Sequence, residues 1–276
     1  MNIFDEMMSR YEIKTNNDYT NALHEVMQQA TLAGLHRSGF FDNAAFYGGT
    51  CLRIFHGVNR FSEDMDFSLL HPDSRFMLES HFDSIINEFK AFGRDVIINR
   101  KMKNNHSTIQ SAFLKDDTAI YDLQFKTDHH IKIKIEVDIN PPQKFETESK
   151  LLLLPYSFMT KCYTLPCLFA GKMHALLFRS WKQRVKGRDW YDFEWYVRQN
   201  IPLDFTHLCE RTYQFASMIE GELTLDSFKQ QLKEKIRNTD INLVKADVSP
   251  FIKDQSVMNI WSTDYFIQLV DMIRFK

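Results

Sequence analysis

The chain has 276 residues, 44% of them hydrophobic and 25% charged, with a formal net charge of −2. This composition is that of an ordinary globular protein and argues against long disorder. The near-neutral charge excludes a global basic field, so any binding of nucleic acid must depend on a local patch. The length is enough for two modest domains or one large one.

The four cysteines form no CxxC pair and no zinc-binding spacing; they are Cys51, Cys162, Cys167 and Cys209. This favours free thiols in a reducing cytoplasm. The N-terminal sequence MNIFDEMMSR lacks the basic and apolar regions of a signal peptide. No apolar stretch reaches the ~18 residues that suggest a membrane span. We therefore expect a cytoplasmic protein with no membrane attachment.

The first half of the chain alternates between predicted helices and strands. Helical spacing of apolar residues predicts helices over 19–36 and 76–92, the second capped by Asp73-Ser74, and a short helix beginning at Thr50. Strands are predicted over Ala44–Tyr47, 64–70, 95–102, 108–114 and 131–139, with 151–154 as a further candidate. Residues 121–128 are ambiguous. The strand over 131–139 reads IKIKIEVDI, with isoleucine and valine on one face and lysine and carboxylate residues on the other.

From residue 165 the pattern becomes helical. Helices are predicted over 165–179, 188–199, Phe205–Phe215, Leu225–Arg237 and 263–275. The change in pattern near residues 155–165 predicts a domain boundary, giving domains 1–160 and 161–276. The expected fold class is α+β, a sheet domain followed by a helical domain.

The segment 48–66, GGTCLRIFHGVNRFSEDMD, is the most informative for function. In a strand, Asp64 and Asp66 share one face while Met65 points to the core. Two carboxylates on one face are costly unless a cation lies between them, and hard oxygen ligands suit Mg²⁺. Gly48, Gly49 and Thr50 lie at a predicted helix start, where backbone N–H groups can cradle phosphate. The alternative is an acidic pair on a solvated surface, and the Gly-Gly-Thr at this distance disfavours it.

The longer string FYGGTCLRIFHGVNRFSEDMDFSLL resembles the signature of polymerase-beta-like nucleotidyltransferases. It is more similar still to the AbiEii/AbiGii toxin family, in which Arg-Phe-Ser also precedes the carboxylates, and the wider group includes MenT-type toxins. The resemblance covers about residues 40–200. It implies a nucleotidyltransferase-type mixed β-sheet flanked by helices, with a C-terminal helical bundle that closes over the nucleotide.

A third carboxylate on a neighbouring strand completes such a site, and it can hold metal or act as a base. Glu136 and Asp138 both qualify, and the strand that carries them resembles the family pattern (K)hEhD.NPP. Spacing does not decide which of the two reaches the metal, although Glu136 is slightly favoured. The alternative for both is a solvated sheet face with cross-strand Lys–Glu pairs.

Two further residues enter through the resemblance. Lys172, in AGKMHALLFR, matches a family lysine proposed to meet the nucleotide phosphates, although a lysine beside apolar neighbours is by default a snorkelling residue. Asp189 matches the family element K-x-R-D-h-x-D, in which it would orient Lys172 or Arg188 near the triphosphate. The alternative for Asp189 is a helix cap and an ion pair with Arg188.

Several polar residues near these motifs are candidate phosphate ligands. Arg53 and Arg60 flank the first motif, and Ser62 is expected to hydrogen-bond a carboxylate. The basic run of Arg179, Lys182, Arg184, Lys186 and Arg188, with Trp181 within it, is either a solvated loop or a surface for triphosphate or RNA phosphates. His106, His129 and His130 are interpreted as surface residues.

The sequence therefore predicts a Mg²⁺-dependent nucleotidyltransferase with an NTP as donor, acting as the toxin of a toxin–antitoxin or abortive-infection system. The resemblance implies RNA such as tRNA, or a protein hydroxyl, as acceptor, and a cognate antitoxin as partner. One alternative is an enzyme that modifies a small molecule such as an antibiotic, although KGRDWYD disfavours it. Another is a non-catalytic NTP-binding interaction module, which has less need of paired metal carboxylates.

Overall fold

The computed structural model describes residues 2–101, 118–126, 132–178, 185–215 and 221–276. The chain divides into two compact units. The first comprises Met1–Gly57, Phe61–Pro141 and Thr147–Cys162, and the second comprises Val58–Arg60, Pro142–Glu146 and Tyr163–Lys276. Two short segments that precede residue 147 in the chain therefore belong to the second unit. The composition and pattern of the chain did not predict these two segments, and the functions assigned to the two predicted domains stay predictions.

The first unit is built around a mixed sheet. Among the described residues its strands are β1 (Ala44–Tyr47), β2 (Met65–Leu69), β3 (Val96–Arg100), β4 (Thr118–Phe125), β5 (Lys132–Asp138), β6 (Thr147–Leu152) and β7 (Phe158–Tyr163). Their spatial order is β3-β4-β5-β2-β1-β7-β6. Strand β2 lies in the middle, antiparallel to β1 and parallel to β5. The sheet therefore brings the acidic ends of β2 and β5 to neighbouring positions.

In the described part of the first unit, four α-helices accompany this sheet: α1 (Ile3–Ser9), α2 (Asn16–Arg37), α3 (Gly48–His56) and α4 (Phe82–Ala91). Helix α2 begins at a capping box, in which the Thr15 and Asp18 side chains each bond the other residue's backbone N–H. Aromatic side chains fill part of the core, with the Phe67 ring centroid 5.1 Å from that of Phe40 and 5.0 Å from that of Phe46. These rings fix the apolar side of β2.

Most predicted elements of this unit are confirmed, with shifts at their ends. The ambiguous segment 121–128 contains most of strand β4, and the candidate strand at 151–154 corresponds to the end of β6. The predicted helix start at Asp73-Ser74 was wrong: Asp73 Oδ1 accepts the Arg75 backbone N–H in a turn, 2.9 Å away, and α4 begins only at Phe82. Helix α1 and strand β7 were not predicted. The predicted strand at 108–114 lies outside the described residues.

The second unit is helical where it is described. Its helices are α5 (Leu165–Phe178), α6 (Gly187–Arg198), α7 (Phe205–Phe215), α8 (Leu225–Arg237), α9 (Ile241–Val248) and α10 (Thr263–Met272). The bounds predicted for α7 and α8 are confirmed, whereas α9 was not predicted. None of the helices within the described ranges is long and apolar enough to span a bilayer.

Helix α6 is buried and held by polar contacts of its own unit. The Gly187 N–H donates to Asp247 Oδ2 at 2.8 Å, and a Cβ at this position would meet the backbone of α9, 2.9 Å from the Val248 nitrogen. Further along, the 6%-exposed Glu194 accepts hydrogen bonds from Trp261 Nε1 at 2.7 Å and Tyr265 Oη at 2.6 Å. These contacts fix the position of the α6 backbone, which carries two further carboxylates described below.

Candidate active site

The Gly-Gly-Thr motif forms the turn from β1 into α3. Gly48 begins the helix with φ +79°, a left-handed conformation that glycine adopts without steric cost. A Cβ at Gly48 would lie 3.0 Å from Asp66 Cγ. The absence of a side chain at Gly48 therefore lets the Asp66 carboxylate lie directly against the start of the loop.

Two buried hydrogen-bonding groups tie this loop and the acidic strand into the first unit. The Thr50 side chain is fully buried, and its hydroxyl donates to the Asp64 carbonyl. Gln28 on α2, which is 1% exposed, donates through Nε2 to the carbonyls of Ser62 at 2.8 Å and Glu63 at 3.1 Å. These bonds hold three consecutive carbonyls, those of Ser62, Glu63 and Asp64, immediately before the acidic strand.

Gln28 was not predicted as a site residue. It lies on a helix whose buried residues include Ala22, Val26, Met27 and Ala30, and a polar residue among them was the available signal, because a buried amide needs a hydrogen-bond partner. The predicted contacts of Thr50 with phosphate and of the Ser62 hydroxyl with a carboxylate stay predictions. In the structure, the Thr50 hydroxyl donates to the Asp64 carbonyl, and the Ser62 carbonyl accepts from Gln28 Nε2.

Burial alternates at the DMD motif as the strand prediction requires. Met65 is fully buried, while Asp64 and Asp66 are half-buried. Strand β2 begins at Met65, so Asp64 lies immediately before it and Asp66 lies within it. In the antiparallel pair with β1, Asp66 is opposite Tyr47, the residue that precedes the glycine loop. The strand register therefore explains the proximity of Asp66 to Gly48.

The register with β5 distinguishes the two candidate third carboxylates. Asp66 is the partner of Glu136 in the parallel β2–β5 pair, whereas Asp138 is the partner of Ser68. Asp138 is only 9% exposed, and its Oδ1 accepts the Asn140 N–H at 3.1 Å. Glu136, which is half-buried, is therefore the carboxylate that faces Asp66 across the two strands.

A lysine of the same strand lies beside this acidic group. Lys134 forms an ion pair with Glu136. Burial alone lowers the pKa of Lys134, but the charge and hydrogen bond of Glu136, with Asp64 and Asp66 beyond it, raise that pKa above its usual value. Lys134 is therefore held in its charged form beside the three predicted metal ligands.

The side chains at this site were compared with the ligands that a metal ion requires. In the described part of the chain, no group of three or more His, Cys, Asp or Glu side chains is placed to hold an ion. Asp66 and Glu136 are nevertheless neighbours in register, and the space that a Gly48 Cβ would fill is occupied by the Asp66 carboxylate. Carboxylate oxygens of this kind are what Mg²⁺ prefers, with the rest of its shell left to water and phosphate.

Arg53 on α3 is held by other residues of the first unit. Its Nε donates to Glu25 Oε2 at 2.9 Å, and its guanidinium lies 4.9 Å from the centroid of the Phe61 ring. Tyr11 donates to the other oxygen of Glu25 at 3.0 Å. The Arg53 side chain is 20% exposed, and its predicted contact with phosphate stays a prediction.

In the second unit, the helical motif residues form a buried charged cluster. Lys172 on α5 donates to Asp189 Oδ1 at 2.7 Å, and its ammonium lies 2.8 Å from Asp192 Oδ2. Asp192 also accepts two hydrogen bonds from Arg60, from Nε at 2.5 Å and from Nη2 at 2.6 Å. The predicted proximity of Asp189 to Lys172 is therefore observed, and Arg60 joins the same group.

Electrostatics keep Lys172 and Asp192 of this cluster ionised. Burial lowers the pKa of Lys172, but the charges of Asp189 and Asp192 outweigh this effect and the opposing effect of Arg60, so that the pKa is raised. Burial raises the pKa of Asp192, and Arg60 and Lys172 together bring it below its usual value. The cluster therefore brings two basic and two acidic side chains together in a buried position, where the opposite charges of Lys172, Arg60 and Asp192 stabilise one another.

The other predicted phosphate ligands are only partly described. The guanidinium of Arg188 lies 4.0 Å from the centroid of the Phe251 ring, and Lys186 immediately precedes α6. The rest of the basic run, residues 179–184 with Arg179, Trp181, Lys182 and Arg184, lies outside the described residues. His106, His129 and His130 lie outside them as well. The roles assigned to all of these residues stay predictions.

Comparison with solved structures agrees with this fold. The structure is similar to JHP933 from Helicobacter pylori, with 18% identity over 91% of this chain and 89% of that chain and a TM-score of 0.51. It is also similar to MenT4, a nucleotidyltransferase toxin from Mycobacterium tuberculosis, with 13% identity over 98% of each chain and a TM-score of 0.51. At this level of identity the likeness shows the fold, and it confirms the predicted mixed sheet with flanking and C-terminal helices.

No curated protein sequence matches the chain significantly. The family model described as "Nucleotidyl transferase AbiEii toxin, Type IV TA system" matches residues 30–268, which is most of the chain. The match includes both the glycine–aspartate motif of the first unit and the charged cluster of the second. The chain therefore belongs to the AbiEii family of nucleotidyl transferase toxins, and it is a nucleotidyltransferase.

Proposed function

We propose that this protein transfers a nucleoside monophosphate from an NTP, with Mg²⁺, to an acceptor hydroxyl on RNA such as tRNA or on a protein. It would act as the toxin of a toxin–antitoxin or abortive-infection pair in the cytoplasm, with a cognate antitoxin as partner. The single observation that supports this best is the register that sets Asp66 opposite Glu136 beside the Gly48 turn.

The chemistry places distinct demands on these residues. The acceptor oxygen attacks the α-phosphorus, the bond to the pyrophosphate oxygen breaks, and the acceptor proton passes to a carboxylate. Asp64, Asp66 and Glu136 would hold Mg²⁺, which when bound neutralises charge on the phosphate oxygens. Asp138, which is buried and follows Glu136 by two residues in the chain, is the alternative third carboxylate and a candidate base.

The nucleotide would be held by residues of the Gly-Gly-Thr helix and by Lys172 with Asp189. The backbone N–H groups of Gly48, Gly49 and Thr50 lie in the first turn of α3, where the helix dipole favours a phosphate. Arg53 supplies a guanidinium on the same helix. Lys172 would contact the nucleotide phosphates as a point charge, with Asp189 orienting it, as the family resemblance implies.

The test is an incubation of the purified protein with Mg²⁺, each α-³²P-labelled NTP in turn, total cellular RNA and cell extract, followed by a denaturing gel. Label in a tRNA-sized band supports an RNA acceptor, and label in a protein band supports a protein acceptor. Asp64→Asn, Asp66→Asn and Glu136→Gln are expected to abolish the label. Asp83→Asn, an exposed position in the first turn of α4, is the matched control and is expected to keep it.

The same assay decides between the two candidate third carboxylates. If Glu136 is the metal ligand, Glu136→Gln loses the label while Asp138→Asn keeps a measurable fraction of it. The reverse result would assign the role to Asp138. Circular dichroism must show that each variant is folded. Absence of label with the folded wild-type protein, in every combination of NTP and acceptor, would contradict the proposed RNA or protein acceptor.

A further inference from the structure

Arg60 is part of the buried charged cluster of the second unit, which its position in the sequence did not predict. Arg60 lies between the two motifs of the first unit in sequence, yet residues Val58–Arg60 belong to the second unit. Its side chain is 1% exposed, and both hydrogen bonds described above go to Asp192. A phosphate ligand needs an accessible donor, so this arrangement does not fit the predicted direct contact with phosphate.

The four side chains of the cluster differ in how much of their surface is exposed to solvent. The side chains of Asp192 and Arg60 are 0% and 1% exposed, that of Asp189 is 4% exposed, and that of Lys172 is 13% exposed. Lys172 is thus the most exposed member of the cluster. Asp192 Oδ2 is shared, because it accepts from Arg60 Nη2 and lies 2.8 Å from Lys172 Nζ.

We propose that Arg60 and Asp192 are positioning residues: the two-point Arg60 bond fixes the Asp192 carboxylate, which with Asp189 fixes the Lys172 ammonium. A planar guanidinium that binds both oxygens of a carboxylate restricts its rotation in a way that a lysine does not. The role of Lys172 toward a nucleotide rests on the proposed function. The positioning itself is a property of the protein alone, so it can be tested without substrate.

Trace acetylation of the full-length protein measures this positioning directly. The protein is exposed to a limiting amount of acetic anhydride, and the modification of Lys172 is quantified by mass spectrometry relative to Lys233, which pairs with Asp271 on the surface of the same unit. In Asp192→Asn, we expect Lys172 to react about tenfold faster, the factor that corresponds to the loss of one charge-assisted hydrogen bond. In Arg60→Lys, where Asp192 loses its two-point partner, the rate should also rise.

Removal of one member of a buried ion pair can unfold a protein, because the remaining charge is left uncompensated. The double variant Arg60→Met/Asp192→Leu removes both charges and keeps apolar volume, so it provides a second route to the same measurement. Lys172 then retains only Asp189, and its acetylation should again be faster than in the wild type. Glu194→Gln is the matched control: it weakens other buried contacts of α6 without touching the cluster, and it should raise Lys172 reactivity much less than the cluster variants do.

Unchanged reactivity of Lys172 in the folded double variant would overturn the proposal, as would an equal rise in Glu194→Gln, which would show general loosening of α6. Transferase activity is measured in parallel. If the wild type shows no transfer to any acceptor, the proposed function fails while the acetylation result still decides the positioning. If transfer occurs, the positioning variants should lose turnover in proportion to the increase in Lys172 reactivity.

Discussion

Replacement of Gly48 by alanine tests the close approach between the glycine turn and Asp66. Two costs are expected. An alanine at φ +79° has a left-handed conformation that costs about 1–2 kcal/mol. Its Cβ would also lie 3.0 Å from Asp66 Cγ, and overpacking of this kind costs about 1–3 kcal/mol. The sum predicts a loss of about 2–5 kcal/mol in the free energy of unfolding and a displaced Asp66 carboxylate.

Gly57→Ala is the matched control for this prediction. Gly57 lies at the other end of the same helix with φ +70°, but a Cβ there would have no atom within 4 Å. It should therefore incur the backbone cost and none of the overlap. Urea denaturation of both variants, monitored by circular dichroism, gives the two free energies, and the labelled-NTP assay gives the activities. Equal losses of stability, with equal activities, would refute the reasoning that Gly48 is required to make room for Asp66.

Three further predictions concern buried polar groups. Gln28→Met, which keeps the length of the side chain but removes its donor, should cost about 1–3 kcal/mol in urea denaturation and reduce NMP transfer, because the segment before Asp64 loses both of its contacts with the Gln28 amide; full activity would contradict this role. Glu194→Gln should cost about 2–4 kcal/mol, since two charge-assisted hydrogen bonds are weakened, and a melting temperature equal to that of the wild type would count against it. Burial lowers the pKa of His207 from 6.5 to about 3, so the folded protein resists protonation there and should lose stability as the pH falls from about 6.5 toward 3; His207→Phe should flatten the dependence of unfolding free energy on pH in this range, and an unchanged slope would exclude His207 as its source.

Much of the fold could be predicted from local patterns. Strand β5 alternates between apolar and charged residues, and α7 and α8 have helical spacing with bounds that the structure confirms. Strand β7 was missed because FMTKCY has only weak alternation, and α1 and α9 were missed because helices of 7 and 8 residues give few periods to detect. Here tertiary packing, rather than local preference, stabilises the element.

The type of chemistry at the site could be predicted from the sequence, but the contacts between its residues could not. The spacing of Gly48 and the two aspartates is a local feature, and it indicated phosphate and metal chemistry. The choice between Glu136 and Asp138 depends on the register of two strands about 70 residues apart in sequence, which no local pattern contains. The pairing of Arg60 with Asp192 spans 132 positions in the chain, and an arginine beside a glycine–aspartate motif is indistinguishable in sequence from a phosphate ligand.

The sequence alone thus determined which side chains are available for chemistry, because the identity and local spacing of residues define donors, acceptors and the face of a strand on which they lie. Only the tertiary structure decided which of them meet. Glu136 faces Asp66 because parallel pairing of β2 and β5 sets them side by side. Arg60 is an internal partner of Asp192 rather than an exposed cation, because burying a guanidinium is tolerated only where a carboxylate compensates its charge.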